Sequence, residues 1–511
     1  MKNTITKLIA FILFVSLYMN NQSSAQAPAL LKQSVGNSNA SAGLVIGNTF
    51  YFKRDGAGAY VKQLWKTDGT VAGTLMVRDS FFLDIIGLVN INDTLYFASQ
   101  ATFISTAPIA LWKSDGTKTG TTIVKTFPGL TGVGFLAAIN NICYFRLNNA
   151  IWKTDGSDAG TVQVKSGVVA GSAFYKSSND IVFFASPTGT SYVSLWKTDG
   201  TSAGTSIIKD SVANPSMGKV ISELLNINGT LFYTISSGAS FNLWRTDGTK
   251  TGTLYVGGGL ISLMTNLNGT LYFKNGTALW KSDGSAAGTI AVSGLDKIGS
   301  GLAAMGNSLY LGGKNSYDFE PYKSDGTVGG TVLLKDIKVG GSMLGSSPMY
   351  FTKVNNNMCF VANDSINGNQ IWKTDGTTAG TVMAYAVKDT ISKNVAPVVR
   401  IALNNYLLFI QGGGTTGDLY SILVSTGSTG IHEDFNALNS LKMYPNPTTG
   451  IFNIEWNGAK NATVKVFNIL GNEILSQQAT DYLNLSGEAS GIYFVKIQDG
   501  TKIYTGKVIV Q

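Results

Sequence analysis

Eight aspartates recur in one setting and are the first candidates for chemistry. Asp68, Asp115, Asp155, Asp199, Asp247, Asp283, Asp325 and Asp375 each precede a glycine, and each follows an aromatic by three residues: Trp65, Trp112, Trp152, Trp196, Trp244, Trp280, Tyr322 and Trp372. Repeated carboxylates can be read as calcium ligands, but calcium gathers about six to eight oxygens and no copy holds a second carboxylate at loop spacing. The pair Asp68-Gly69 and its counterparts therefore read first as turns, with calcium as the lesser reading and no cofactor required. Other catalytic parts are scarce. The chain has one histidine, His432, and two cysteines, Cys143 and Cys359, so histidine triads, thiolate nucleophiles and His/Cys zinc centres lack their members. No catalytic or metal residue is assigned, and the chain reads as a protein that is not an enzyme. A carbohydrate-active enzyme that draws paired carboxylates from different repeats is the alternative.

The motif cations, Lys66, Lys113, Lys153, Lys197, Arg245, Lys281, Lys323 and Lys373, stand two residues before the aspartates. Their charges cancel locally, so a solvated face is the better reading than a positive ring for an acidic polymer. A formal charge of +8 over 511 residues is modest, and no nucleic-acid partner is expected.

The elements that position these residues follow from the spacing. The motif aromatics lie 36 to 50 residues apart, the period of a propeller blade of four short strands. Period-two alternation, as in Val193 to Lys197, gives strands on either side of each Asp-Gly. A second series of turn pairs alternates with the motifs: Gly47-Asn48, Asn92-Asp93, Asn140-Asn141, Asn179-Asp180, Asn228-Gly229, Asn268-Gly269, Gly306-Asn307, Asn356-Asn357 and Asn404-Asn405. Each repeat then holds two hairpins. Sixty glycines, ten prolines, 44% hydrophobic and only 13% charged residues fit this all-β reading. Cys143 and Cys359 are placed at one equivalent core position of the repeat, too far apart for a disulfide.

The ends of the array match one another. Leu30-Leu31-Lys32 resembles Leu333-Leu334-Lys335, a last strand, while 398–410 and 419–424 resemble first strands. An N-terminal strand completing the last blade would close the array and remove exposed edges. Repeat counting gives eight blades, or nine with the split one. The eight copies of Trp-Lys-Thr-Asp-Gly-Thr type resemble the ELWxxDGT repeat proteins, exported bacterial proteins. The chain departs from them at the leading glutamate, which only Glu320 retains; Gln63, Ala110, Ala150, Ser194, Asn242, Ala278 and Gln370 stand elsewhere.

The domain plan has four parts. Residues 1–25 combine Lys2 and Lys7, a short apolar run at 8–17 and small residues before Ala25, which reads as a secretory signal peptide. The repeat domain spans 26–424, a polar linker 425–440, and a small β-sandwich 441–511. In the last, Pro445, Asn446, Pro447, Gly450, Gly471, Gly491, Tyr493 and Lys507 fall in motifs that resemble the type A C-terminal sorting domain of the type IX secretion system of Bacteroidetes. That resemblance implies a partner, the secretion machinery, and delivery outside the outer membrane followed by loss of the domain. No transmembrane segment is expected after signal removal. The function expected is a secreted or cell-surface binding or adhesion module with a glycan or protein ligand.

Overall fold

The computed structural model describes residues 28–33, 43–56, 61–82, 84–100, 107–130, 133–168, 174–176, 181–188, 192–213, 221–237, 240–292, 294–314, 318–338, 345–366, 368–385, 398–411, 417–424, 441–455, 462–468, 472–499 and 502–511. The expected signal peptide, His432 and Gly471 lie outside them, as does the turn at Asn179-Asp180. The chain is all-β, with no helix among the described residues. It divides into two compact units, 1–427 and 428–511.

Unit 1 consists, among the described residues, of nine four-stranded antiparallel sheets. Eight are read straight along the chain. The first runs Leu44–Ile46, Thr49–Asp55, Val61–Thr67 and Leu75–Phe82, and seven more of the same plan follow, spanning 86–127, 133–166, 174–213, 221–259, 261–292, 297–333 and 349–385. The ninth joins Val398–Leu403, Tyr406–Gln411 and Asp418–Leu423 to Ala29–Lys32 from the other end of the unit. Leu30 pairs with Tyr420 and Ala29 with Ser421, antiparallel.

Two turn chemistries set this plan. Asn and Gly pairs take positive φ in the hairpin between first and second strands, as at Asn92 and Asp93 (50° and 58°) and at Asn140 and Asn141 (50° and 60°). The Asp-Gly motif turns the third strand into the fourth. One turn lies a residue earlier than the sequence indicates. In the eighth sheet Val354 pairs with Asn357, so Asn355 and Asn356 form the turn, with Asn355 at φ 53°. Three consecutive asparagines hide that register.

The slip corrects the cysteine assignment. Cys143 faces Thr154, whereas Cys359 faces Lys373. They occupy adjacent positions of the repeat and therefore opposite faces of their sheets. Both are buried and free, and burial raises both thiol pKa values, that of Cys359 to about 12.

Each sheet packs on the next. Phe81 meets Phe97 and Trp112 across the first junction, and Leu111 joins Cys143 and Phe145 across the second. Equivalent clusters follow along the chain, ending with Cys359 and Ile371 against Leu407 and Phe409. The ninth sheet then packs on the first: Leu31, Leu403, Leu408 and Leu419 share a cluster with Phe50 and Phe52.

Unit 2 has a three-stranded sheet, Lys442–Tyr444, Ile451–Glu455 and Tyr482–Asn484, and a four-stranded one in the order Glu473–Gln478, Thr463–Asn468, Gly491–Asp499, Lys502–Val510. One core, with Phe452, Ile454, Val464, Val466, Val495 and Val508 buried, serves both.

Candidate functional site

The repeated motif is a closed hydrogen-bonded turn. In the fourth sheet, Asp199 Oδ1 accepts from the Thr201 amide at 2.8 Å and from the Thr201 hydroxyl at 2.7 Å. Thr201 Oγ1 in turn accepts from the Gly204 amide at 2.9 Å. Thr198 and Thr205, both buried, share a hydroxyl contact of 2.7 Å beneath the turn, and Thr198 Oγ1 accepts from the Gly200 amide at 3.0 Å. The aspartate–amide bond recurs in all eight copies at 2.8–2.9 Å. Two glycines are required for different reasons. Gly200 takes φ 87°, a region L side chains seldom adopt. Gly204 has ordinary φ, but a Cβ on it would overlap the Asp199 carboxylate.

The Thr or Ser bonds hold the carboxylates of Asp115, Asp155, Asp199, Asp247, Asp283 and Asp325 below their usual range. Asp68 is partly desolvated, which opposes the shift, yet its bonds from Thr70 leave it lowered as well. Asp199 and its counterparts are exposed, so the turn amides they serve lie at the surface.

Three of the motif cations are tied to neighbouring backbone instead of standing free in solvent, while Lys113 is exposed as the solvated-face reading expects. Lys153 donates to the Gly200 carbonyl at 2.8 Å, Lys197 to that of Gly248 at 2.8 Å, and Lys323 to that of Gly376 at 3.3 Å. Each reaches the turn of the next sheet. In the ninth sheet Ser421 takes this role and donates to the Gly69 carbonyl at 2.7 Å. A tyrosine stands beside Lys66, Lys113, Lys153, Lys281 and Lys323, while Phe183 stands beside Lys197 and Cys359 beside Lys373. Tyr51, Tyr96, Tyr144, Tyr272 and Tyr310 place their hydroxyls where a Cβ on Gly116, Gly156, Gly200, Gly326 or Gly376 would lie. Burial, and then the neighbouring motif aspartate, raises the phenol pKa of Tyr51, Tyr96, Tyr272 and Tyr310.

The motif aromatics are interface plates. Trp112 stacks on Phe97 of its own sheet (6.3 Å, 3°) and meets Phe81 of the preceding sheet edge-on (5.4 Å, 84°). Trp152 stacks on Phe145 and meets Phe127 in the same way. The fourth strand of the preceding sheet adds a cation over the indole: Lys32 over Trp65 at 4.0 Å, Arg78 over Trp112 at 4.8 Å, Lys209 over Trp244 at 5.4 Å and Lys335 over Trp372 at 5.8 Å. Sequence reasoning missed these cations and the tyrosines. A Val-Lys or Leu-Lys step at the end of successive repeats was the available signal.

Among the described residues, one group of acids comes together outside the motif turns. Asp318, Glu320 and Asp336 bring carboxylate oxygens within 4.8 Å of one another. Glu320 is buried and occupied: it accepts from the Ile337 amide (3.0 Å), the Ser346 amide (2.9 Å) and the Ser346 hydroxyl (2.6 Å). Burial raises its pKa against those bonds. The one retained motif glutamate thus ties its strand to the chain at 337 and 346.

In unit 2 the sorting-type residues converge on the last strand. Asn446 Nδ2 donates to the Lys507 carbonyl at 2.7 Å, and Asn446 Oδ1 accepts from the Ile509 amide at 2.9 Å. Pro445 and Pro447 flank it at the surface. Gly450 takes φ 123°, and any Cβ there would run into Ser486. Tyr493, buried, donates to the Ala489 carbonyl at 2.6 Å, and Gly491 opens its strand.

Against known proteins, residues 442–511 match the secretion system C-terminal sorting domain. The chain therefore carries that domain, interacts through it with the type IX secretion machinery, and is a secreted or cell-surface protein. No curated protein matches the chain. Among solved structures it is similar to a puromycin hydrolase (10% identity, TM-score 0.33, 64% of this chain and 58% of that one). It is also similar to a Mycobacterium tuberculosis puromycin-hydrolyzing peptidase (11%, 0.34, 65% and 60%) and to a chain from a study of two prolyl endopeptidases (9%, 0.35, 82% and 54%). The chain thus spans a little over half the length of these structures. These structures are enzymes, which runs against the expectation that the chain is not one. At these identities and TM-scores nothing of their chemistry is carried over. No helix among the described residues is long and apolar enough to cross a membrane.

Proposed function

We propose that unit 1 is the passenger of a type IX export substrate and acts outside the cell as a binding scaffold for a glycan or protein ligand. The match of residues 442–511 to the sorting domain carries this reading. In it, residues 1–25 direct the chain across the inner membrane, and the C-terminal domain, a small β-sandwich, directs it across the outer one. Cleavage falls within or near 425–441. The passenger is a ring of nine blades of the ELWxxDGT type. Supporting the ring are the pairing of Leu30 with Tyr420, the Ser421 bond to Gly69 and the Lys32 contact with Trp65. These reproduce at the ninth-to-first junction the contacts found at the others. The eight motif aspartates serve as turn acceptors.

Truncation after Ser440 tests the export reading. A folded passenger should remain in the periplasm, and 441–511 fused behind a signal peptide to an unrelated protein should bring that protein to the surface. Normal surface delivery of the truncated chain refutes it.

A further inference from the structure

The repeat supplies an internal comparison for one cavity. Two residues past the partner of the motif aromatic, the fourth strand carries a side chain that faces the next sheet. At that position stand Lys32, Arg78, Lys125, Lys165, Lys209 and Lys335. Four of these lie over the next tryptophan at 4.0–5.8 Å. Four of the six donate to main-chain carbonyls of the next motif turn: Arg78 to Thr121 (2.7 Å), Lys125 to Asp158 (3.0 Å), Lys165 to Thr205 (2.7 Å) and Lys335 to Thr381 (2.9 Å), so that Arg78 and Lys335 make both contacts. The unit thus builds one receptor repeatedly, with an indole face beneath and peptide carbonyls at the end, and fills it with a lysine or arginine.

The fifth, sixth and eighth sheets depart from the pattern, with Gly257, Ser293 and Tyr385 at this position, and only the fifth places a glycine before a tryptophan. Trp244 pairs with Tyr255, and two residues on stands Gly257. Trp280, which follows it, is the one motif tryptophan whose preceding strand has no cation at this position. The space is open: a cavity of about 140 Å³ is lined by Gly257, Phe273, Asn275, Trp280, Ala286 and Thr289. Thr289 is the counterpart of Thr121, Thr205 and Thr381. The volume is close to the roughly 150 Å³ that admits a benzene-sized guest. Nothing in the backbone demands a glycine. The φ of Gly257 is ordinary, and a Cβ there would meet only Thr289 Cγ2, at 3.8 Å.

We infer that this cavity is a binding site for a protonated amine or guanidinium on an alkyl stem, the side-chain chemistry of lysine or arginine, supplied by a ligand instead of by the chain. The indole face of Trp280 attracts the cation and its stem, and the turn carbonyls accept its hydrogens. The inference deepens the reading of unit 1 as a binding scaffold and is independent of the export route, so stranding or delivery of the chain leaves it unaffected.

The test uses the full chain, with the Trp280 indole N–H followed by NMR while ligand is added. The probes are n-butylammonium, Nα-acetyl-lysine methylamide, a short neutral peptide with one lysine, and the uncharged Nα-acetyl-norleucine methylamide. Saturable shifts at about millimolar ligand are expected, at least tenfold weaker for norleucine. Preference for the peptide over butylammonium identifies a polypeptide source, and the reverse a free amine; either supports the site. Gly257→Lys should fill the cavity from within, abolish the shifts and raise the melting temperature. Should that variant fold poorly, Gly257→Met blocks the same space and should also abolish them. Equal response to the norleucine compound, or undiminished binding in a folded Gly257→Lys or Gly257→Met chain, overturns the proposal.

Discussion

Leu31→Ala probes the junction between the ninth and first sheets. Leu31 is 6% exposed and lies in a cluster with Phe50, Phe52, Leu403, Leu408 and Leu419. Truncating a buried leucine to alanine costs about 2–5 kcal/mol, transfer and cavity together. Ala29–Lys32 is a four-residue terminal strand that can partly collapse onto the gap, which favours the lower half, about 2–3 kcal/mol. With an unfolding entropy of about 2.1 cal/mol/K per residue over roughly 400 residues, that is a drop of about 2–4 °C in melting temperature. Lys32→Met keeps the apolar stem and removes the charge over Trp65, for a further loss of about 0.5–1 kcal/mol. Deletion of 28–33 should do more than the sum, because the 418–423 strand becomes an open edge and the chain gains a route to aggregation. The assay is thermal unfolding of the purified chain, followed by tryptophan fluorescence, with size-exclusion chromatography of each variant. If Leu31→Ala melts within 1 °C of the parent and the deletion stays monomeric, the N-terminal strand does not hold the junction and the closure argument fails.

Three further outcomes follow from the motif. Asp199→Ala removes an exposed double acceptor and should cost about 1 kcal/mol, while Gly204→Ala should cost more, since its methyl and the Asp199 carboxylate claim the same space; equal or smaller loss for Gly204→Ala in thermal denaturation contradicts the geometry. The folded-state pKa values of Asp68, Asp115, Asp155, Asp199, Asp247, Asp283 and Asp325 are depressed, so their contribution is complete above the ordinary carboxylate pKa near 4 and is lost as pH falls through the lower folded values. A melting temperature that stays flat from pH 5 to pH 2 refutes this. Chelator should leave the melting temperature unchanged, because the Thr or Ser at 70, 117, 157, 201, 249, 285, 327 and 377 occupies Oδ1 of each aspartate; a fall of many degrees assigns these aspartates to calcium.

Much of the strand plan was legible because it depends on local chemistry. Asp-Gly and Asn-Gly pairs take the positive φ that tight hairpins need, and alternation at Val193 to Lys197 can only place side chains on two faces. Register was legible only where the turn pair was unambiguous, and at 355–357 three asparagines allow two registers. What the sequence withheld are contacts between sheets. By sequence Lys153 belongs to a solvated face, yet it bonds to Gly200, 47 residues away; no local pattern encodes which carbonyl lies within reach of a long side chain. Arg78 over Trp112 belongs to the same class, and so does the space at Gly257, which is visible only as a departure from six occupied counterparts. The acids at 318, 320 and 336 meet because the chain after the motif turn runs back beside the strand that carries Glu320, where the Leu334 amide donates to the Pro321 carbonyl.

The pairing of residues 29–30 with 420–421 also sets a timetable. A strand made early finds its place only beside strands made nearly four hundred residues later, so the ninth sheet cannot form until the chain has been made as far as residue 423. Until residue 423 is through, eight sheets can stack while Phe50 and Phe52 lack the partners that bury them. The sorting domain is the next segment to arrive. Completion of the passenger and exposure of its export signal thus fall at almost the same moment, and a chain cut short before residue 418 lacks both.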